Sequence, residues 1–447
     1  MLKLLNTWRK GNFVRILSIL FILILSGCTS KEANEVVEEV ALPVCDLTYS
    51  PYQATVTGYC QAPAADLPES LDTINKRITI KPLNEISEIF WFNKQMKYSL
   101  VKQDDIAPLI FIIAGTGASF NSAKMVSLQK SFFQQGYHVI SISSPTFANF
   151  IVNSPNTKYM PGDLAHDAEN LYEVMSLVWA QVQAEDEVQA SSISLTGYSL
   201  GGAHSAFLAL LDDEKQVFNF EKVLLINPPV SLYNSVSILD QYFDLRNNRH
   251  AAVAMFDEIF SRFSTIYSAQ RSSTFDQGSI YGLFKNAELT EAELKLLIGA
   301  SFRMSSSDMI YAIDVSFNTG AITYKNHTVD KLESITHSMQ RASDITFGDY
   351  FTRAMLPRAQ RENANLTKAD LIKRYSLREI EDYLKTSDKI YLVTNQDDII
   401  LQAGEVDYLK SIFGDRAKIF PRGGHCGNFE RQSFVEYLDT TFQGGIN

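Results

Sequence analysis

A serine, two aspartates and a histidine of the types used in nucleophilic catalysis lie in that order between residues 199 and 425. Ser199 is the centre of Gly197-Tyr198-Ser199-Leu200-Gly201, which follows an apolar run and opens a segment of small residues. Glycines two residues before and after a serine are typical of a sharp strand-to-helix turn, because side chains there would collide with neighbouring backbone. A serine hydroxyl attacks a carbonyl carbon only when a base removes its proton. The pattern therefore predicts that Ser199 is a nucleophile served by a base elsewhere in the chain.

The candidate base and acid follow two further apolar runs. The run at 389–394 predicts a buried strand, and two adjacent aspartates, Asp397 and Asp398, stand just beyond its end. The short run at 417–420 leads through a glycine pair to His425. An imidazole can take the serine proton and return it to a leaving group, and a carboxylate can hold the imidazole in the required tautomer.

This order of serine, acid at a strand end and histidine near the C-terminus resembles the α/β-hydrolase superfamily. The resemblance covers roughly residues 85–228 and 388–447. The position of the acid in that family, with one residue between it and a pair of β-branched residues, selects Asp397 as the third member of the triad. Asp398 is the alternative.

The resemblance also implies an oxyanion hole built from two backbone N–H groups. One is that of Leu200, the residue after the nucleophile. The other belongs to the loop after the apolar run 109–113, where we expect Thr116 to be the donor and Gly117 to be the alternative. Many relatives carry His-Gly at the start of this loop, and this chain carries Ala-Gly instead. Because the donor is a backbone group, the exchange is compatible with activity.

Apolar runs alternate with helical patterns over most of the chain, which predicts the α/β class with a mainly parallel sheet and helices on both faces. Residues 51–228 and 388–447 would form this core, with first antiparallel strands near 77–80 and 89–92. The intervening residues 229–387 are predicted to form a helical cap. Two capping boxes, Thr290 to Glu293 and Ser376 to Glu379, support its helical character.

The N-terminus predicts export and a lipid anchor. Residues 1–27 combine four basic side chains with a ten-residue apolar stretch, which is too short to span a bilayer comfortably and typical of a secretory signal. The stretch ends in Leu25-Ser26-Gly27-Cys28, which resembles the bacterial lipobox. The resemblance implies acylation of Cys28, a polar tether over residues 28–50 and, because Thr29 is not aspartate, the outer membrane of a Gram-negative cell envelope.

Three cysteines remain beyond the anchor. Cys45 and Cys60 lie close in the sequence and are predicted to form a disulfide, as suits an oxidising compartment. Cys426, beside His425, is then a free thiol, which we interpret as buried packing.

The remaining features exclude several classes of function. His138, His166 and His204 have no accompanying metal-ligand spacing and are interpreted as structural, and no nucleotide-binding motif is present, so no cofactor or metal is predicted. The formal net charge of −11 disfavours nucleic acid as a partner. It also disfavours anionic headgroups, so the lipid anchor rather than a basic patch would hold the chain at the membrane.

As a function, the resemblance implies hydrolysis of small carboxylic esters or other acyl substrates through an acyl-enzyme on Ser199. A serine peptidase acting on short peptides is one alternative, because the same groups serve amides. A non-catalytic envelope binding module on the same scaffold is the other.

Overall fold

Eight strands form one sheet in the computed structural model of the protein, which describes residues 49–243, 249–270, 277–284 and 288–443. The strands are β1 Ile74–Ile78, β2 Met96–Val101, β3 Ala107–Ile113, β4 His138–Ile142, β5 Ala190–Tyr198, β6 Val223–Ile226, β7 Ile390–Asn395 and β8 Ala417–Phe420. Their order across the sheet is β1-β2-β4-β3-β5-β6-β7-β8. The first two pairings, β1 with β2 and β2 with β4, are antiparallel, and all the others are parallel. The predicted mainly parallel sheet is confirmed.

The central strand β3 is apolar along its length because helices cover both faces of the sheet. In β3, the five residues from Leu109 to Ile113 are completely buried. β3 and β5 are paired in register, with Ile113 opposite Gly197. The loop that follows β3 and the turn that follows β5 therefore leave the sheet side by side at the same edge.

The helices are α1 Pro51–Thr57, α2 Ala123–Gln134, α3 Ala148–Asn153, α4 Leu164–Asp186, α5 Leu200–Lys215, α6 Leu232–Tyr242, α7 Arg249–Gln270, α8 Gln277–Gly282, α9 Glu291–Phe317, α10 Thr336–Ser343, α11 Phe347–Tyr350, α12 Leu356–Ala359, α13 Lys368–Arg374, α14 Glu381–Thr386, α15 Glu405–Phe413 and α16 Gln432–Gln443. Apolar side chains of α4, α5 and α15 pack on one face of the sheet. Those of α2 and α16 pack on the other.

Helices α6 to α14 lie between β6 and β7, and the described residues of that insertion contain no strand. The long helix α9 begins at the predicted capping box, since Thr290 accepts from the Glu293 backbone and Glu293 reaches back. The second predicted box is wrong. The side chain of Ser376 makes no capping hydrogen bond; its hydroxyl donates to the carbonyl of Lys373, and a short 3-10 helix, Leu377–Ile380, follows.

The segment near 89–92 is not the predicted strand. Glu88–Asn93 is a 3-10 helix, and the second strand is β2 instead. Ile89 and Phe90 are buried, whereas Trp91 and Phe92 are 60% and 54% exposed. Two inward residues followed by two outward ones fit a helical turn, because a strand would alternate with a period of two.

Residues 1–48, with the predicted signal peptide, Cys28 and Cys45, lie outside the described residues. Cys60 is disulfide-bonded, and its pairing with Cys45 stays a prediction. Cys426 is a free, buried thiol, as predicted. Among the described helices, none combines the length and the apolar character needed to cross a membrane.

Candidate active site

Ser199 lies at the sharp turn between β5 and α5. Its backbone has φ 54° and ψ −127°, a strained conformation for a residue with a side chain. The flanking glycines make the turn possible, since a Cβ on Gly197 would lie 2.3 Å from the Gly201 carbonyl oxygen. A Cβ on Gly201 would lie 2.2 Å from the Ile113 carbonyl oxygen. The strain is held by packed backbone on both sides and presents the hydroxyl at the edge of the sheet.

The serine, the histidine and one aspartate form a continuous chain of hydrogen bonds. Ser199 Oγ lies 2.9 Å from His425 Nε2. On the other side of the ring, His425 Nδ1 lies 3.0 and 3.1 Å from the two carboxylate oxygens of Asp398. A carboxylate accepts only, so Nδ1 carries a proton, and in the neutral ring Nε2 is left to accept the serine proton. The arrangement has the geometry of an activated nucleophile.

The carboxylate that contacts the imidazole is that of Asp398, so the choice of Asp397 as the third member of the chain is wrong. Asp397 accepts from the Tyr49 hydroxyl and from the Gly424 N–H, the latter at 3.1 Å. The chain turns directly after β7, where the Asp398 N–H donates to the Asn395 carbonyl at 3.2 Å. Within this turn, neighbouring side chains point in different directions, so only the second aspartate faces the imidazole.

Asn227 holds the acid in place and was missed in the sequence. Its Nδ2 donates to Asp398 Oδ2 at 2.8 Å, and the Ile400 N–H donates to Oδ1 at 3.2 Å. Asn227 directly follows β6 and has a positive φ of 46°. The available signal was positional: a polar residue at the carboxyl end of a parallel strand, at the edge where Ser199 stands.

The electrostatics of the site are dominated by the imidazole–carboxylate pair. Burial lowers the pKa of His425, but the Asp398 carboxylate and the neighbouring Cys426 outweigh this and raise the pKa to about 10. The side chain of Asp398 has no exposed surface and that of His425 has 13%. The buried carboxylate thus strongly favours the charged, imidazolium form of His425.

The two predicted oxyanion donors lie at the same place as the triad. Leu200 opens α5, and Thr116 lies in the loop after β3, beside the turn at Ser199. The alternative donor, Gly117, is engaged, because its N–H donates to Thr146 Oγ1 at 2.8 Å. This contact favours Thr116 over Gly117, and both assignments stay predictions of a role in catalysis.

A small pocket adjoins the predicted oxyanion hole. Thr116, Gly117 and Leu200 line it from the core. The insertion between β6 and β7 supplies most of its apolar wall, namely Leu232, Val236, Met309 and Phe347. The same helix that carries Met309 approaches the loop closely, since a Cβ on Gly117 would lie 1.7 Å from Ser305 Oγ.

The other histidines examined in the sequence take structural positions. His204 is completely buried, and its Nε2 lies 3.2 Å from Asp167. His138 accepts from the Gln103 N–H at 3.0 Å, and His166 pairs with Asp163 at 2.9 Å. No cluster of metal-ligating side chains occurs within the part of the chain that the structure describes.

Comparisons with known proteins find only solved structures of low identity. No protein-family model and no curated protein sequence matches the chain. Among solved structures, a bacterial membrane phospholipase A is 13% identical, with a TM-score of 0.41 over 83% of this chain and 86% of that one. A putative lipase from Acinetobacter baumannii is 14% identical, with a TM-score of 0.40 over 83% and 93%. An esterase of the fungus Rhizomucor miehei is 14% identical, with a TM-score of 0.36 over 85% of each chain.

Three features of the structure indicate the same fold. They are the strand order of the sheet, the strained serine between β5 and α5, and the order of serine, acid and histidine along the chain. By these features the protein has the α/β-hydrolase fold.

Proposed function

We propose that the protein is a serine hydrolase that cleaves carboxylic esters through an acyl-enzyme on Ser199. The observation that carries the proposal is the unbroken hydrogen-bond chain from Ser199 through His425 to Asp398, with distances of 2.9 and 3.0 Å. A scaffold kept only for binding has no need of a strained serine aligned with a buried imidazole–carboxylate pair. The geometry therefore favours an enzyme over a non-catalytic envelope module.

The proposed reaction has two halves. Ser199 Oγ attacks the ester carbonyl carbon while its proton moves to His425 Nε2, and the oxyanion is held by the N–H groups of Leu200 and Thr116. The protonated imidazole then gives its proton to the leaving alkoxide as the carbon–oxygen bond breaks. A water molecule attacks the acyl-enzyme in the same way, with His425 again as base, and releases the acid and the free serine. Asp398 stays ionised throughout and stabilises the imidazolium.

The pocket supports small acyl groups as substrates. The wall formed by Leu232, Val236 and Met309 is apolar, which suits a short alkyl chain. Because these residues belong to the insertion between β6 and β7, that insertion would select the acyl group.

The location is proposed from the sequence. Residues 1–27 would be removed, Cys28 would carry the lipid, and the lipid would anchor the enzyme to the outer membrane of the cell envelope. Growth with a radiolabelled or alkyne-bearing fatty acid, followed by membrane fractionation, tests this. Label is expected in the wild type and is expected to be absent from Cys28→Ala. A wild-type protein without label contradicts the anchor.

The chemistry is tested with a fluorophosphonate, which reacts with activated serines. The wild type is expected to be labelled on Ser199, and Ser199→Ala is expected to lose both labelling and turnover. Parallel panels of short-chain esters and short peptides then separate the esterase from the peptidase, with faster turnover of esters expected. Equal labelling of Ser199→Ala would identify a different nucleophile. Turnover of peptides alone would replace the ester proposal by the peptidase.

A further inference from the structure

The loop that carries the catalytic histidine is held by residues from the N-terminal part of the described chain. We call residues 421–428 the His loop and residues 49–59 the N-terminal strap. Three consecutive backbone N–H groups of the His loop each have a side-chain acceptor. Gly423 donates to the Tyr49 hydroxyl at 2.8 Å, Gly424 donates to Asp397 at 3.1 Å, and His425 donates to Thr55 Oγ1 at 2.9 Å. Two of these three acceptors belong to the strap.

The backbones of the strap and the His loop are also in direct contact. A Cβ on Gly424 would lie 2.1 Å from the Pro51 carbonyl oxygen, and one on Gly427 would lie 2.4 Å from that of Ala54. The Tyr59 N–H donates to the Gly427 carbonyl at 2.7 Å. The glycines of the loop thus make room for the strap, which extends the contact well beyond a single hydrogen bond.

The strap is itself fixed on its other side. Val56 belongs to an apolar cluster with Leu297 and Met304 of the long helix α9. The rings of Tyr52 and Tyr242 pack edge to face with centroids 5.7 Å apart. The strap therefore lies between the His loop and the helical insertion, and its contacts with the insertion hold it in place against the loop.

We propose that Thr55 and Tyr49 are positioning residues that hold His425 within reach of Ser199, an inference that rests on the proposed function. Thr55 is 3% exposed, and its hydroxyl proton is directed to the Pro51 carbonyl at 2.7 Å. Its oxygen lone pairs therefore face the His425 N–H. Tyr49 acts one step further along, since its hydroxyl accepts from Gly423 and donates to Asp397.

The expected effect follows from the unsatisfied donor. Without the Thr55 oxygen, the buried N–H of His425 has no acceptor in its present place, and the loop moves to find one. A displacement of about 1 Å at a catalytic group costs on the order of 10²-fold in rate. Because the substrate pocket is formed by other residues, we expect the loss in kcat rather than in KM.

The chain offers a matched control on the same helix. Thr57 Oγ1 donates to the Gln53 carbonyl at 3.1 Å, as Thr55 donates to Pro51. Thr55→Val is expected to lower kcat and the rate of fluorophosphonate labelling about 10- to 100-fold. Thr57→Val is expected to match the wild type, and Thr55→Ser, which keeps the hydroxyl, is expected to restore most of the rate. Thermal unfolding is measured on each variant.

Labelling and kcat of Thr55→Val that equal those of Thr57→Val would overturn the proposal. If Thr55→Val fails to fold, Tyr49→Phe tests the same restraint, with slower labelling expected and wild-type labelling contradicting it. Amide hydrogen exchange of residues 423–425 measures the restraint without any turnover. Faster exchange in Thr55→Val than in Thr57→Val is expected, and equal exchange refutes the strap. A wild type that is not labelled at Ser199 refutes the proposed function instead, and exchange then decides the strap alone.

Discussion

Replacing each of the two adjacent aspartates by asparagine separates their roles. In Asp398→Asn, one carboxylate oxygen becomes an amide NH₂. Both oxygens of Asp398 already accept a hydrogen bond in addition to that of the imidazole, one from Asn227 at 2.8 Å and one from the Ile400 N–H at 3.2 Å. An NH₂ in either place therefore meets a donor, and rotation of the amide does not remove the conflict.

The amide also changes the tautomer of the imidazole. An NH₂ facing His425 Nδ1 favours the tautomer with its proton on Nε2, which then cannot accept the proton of Ser199. A wrong tautomer in such a triad costs about 10⁴-fold in kcat, or about 5 kcal/mol of transition-state stabilisation. Asp397→Asn can keep an acceptor for the Gly424 N–H, but its NH₂ then stands in place of the oxygen that accepts from the Tyr49 hydroxyl, so the conflict falls on Tyr49 and leaves the imidazole ring untouched. We expect it to cost about tenfold.

The assay is kcat/KM on a short-chain nitrophenyl ester, with the fluorophosphonate labelling rate as a measure that does not depend on deacylation. Circular dichroism and thermal unfolding confirm that both variants are folded. A loss of about 10³-fold or more in Asp397→Asn, together with near wild-type activity in Asp398→Asn, would show that the assignment of the acid is wrong.

Three further predictions concern the base, the pocket and the disulfide. Because the carboxylate raises the pKa of His425 to about 10, kcat/KM is expected to keep rising with pH above 6.5. Removal of the carboxylate is expected to move this rise to lower pH, and a pH–rate profile whose rise stays in place contradicts the coupling. Met309→Ala enlarges the pocket and is expected to shift the preference towards longer acyl chains, whereas Met304→Ala on the same helix is expected to leave the preference unchanged. The measurement is kcat/KM across esters of increasing chain length, and identical profiles for the two variants would exclude the insertion as the part that selects the acyl group. Peptide mapping without reduction is expected to find Cys45 joined to Cys60, and another partner for Cys60 refutes the pairing.

The sheet and the nucleophile could be predicted because their signals are local. β3 and β6 are nearly continuous apolar runs, as is typical of strands buried on both faces. The glycines around Ser199 are required by backbone contacts within a few residues of the turn, so they appear as a fixed motif. The segment 88–93 failed for the opposite reason. Its apolar residues have no period of their own, and only packing against the rest of the molecule decides which of them face inwards.

The supports of the triad could not be read in the same way, because their contacts are distant in sequence. Asn227 and Asp398 are 171 residues apart, Thr55 and His425 are 370 apart, and Tyr49 and Gly423 are 374 apart. No spacing rule joins such residues. What the sequence offered was the expectation that the carboxyl ends of parallel strands meet at one edge, which applies to Asn227 but gives no indication of the strap.

The misplaced acid shows why an adjacent pair of aspartates is hard to assign and why both belong to the site. The side chains of Asp397 and Asp398 leave the turn after β7 and contact different groups of the His loop. Asp398 contacts the imidazole ring, while Asp397 contacts the backbone N–H of Gly424, the residue just before His425. Choosing Asp397 in place of Asp398 thus exchanges the group that sets the tautomer of the imidazole for the group that sets the position of the ring. The imidazole ring needs both the right tautomer and the right position. The two aspartates and Thr55 restrain the same histidine through separate contacts, so when one of these contacts is lost, the remaining ones hold the base in a displaced position.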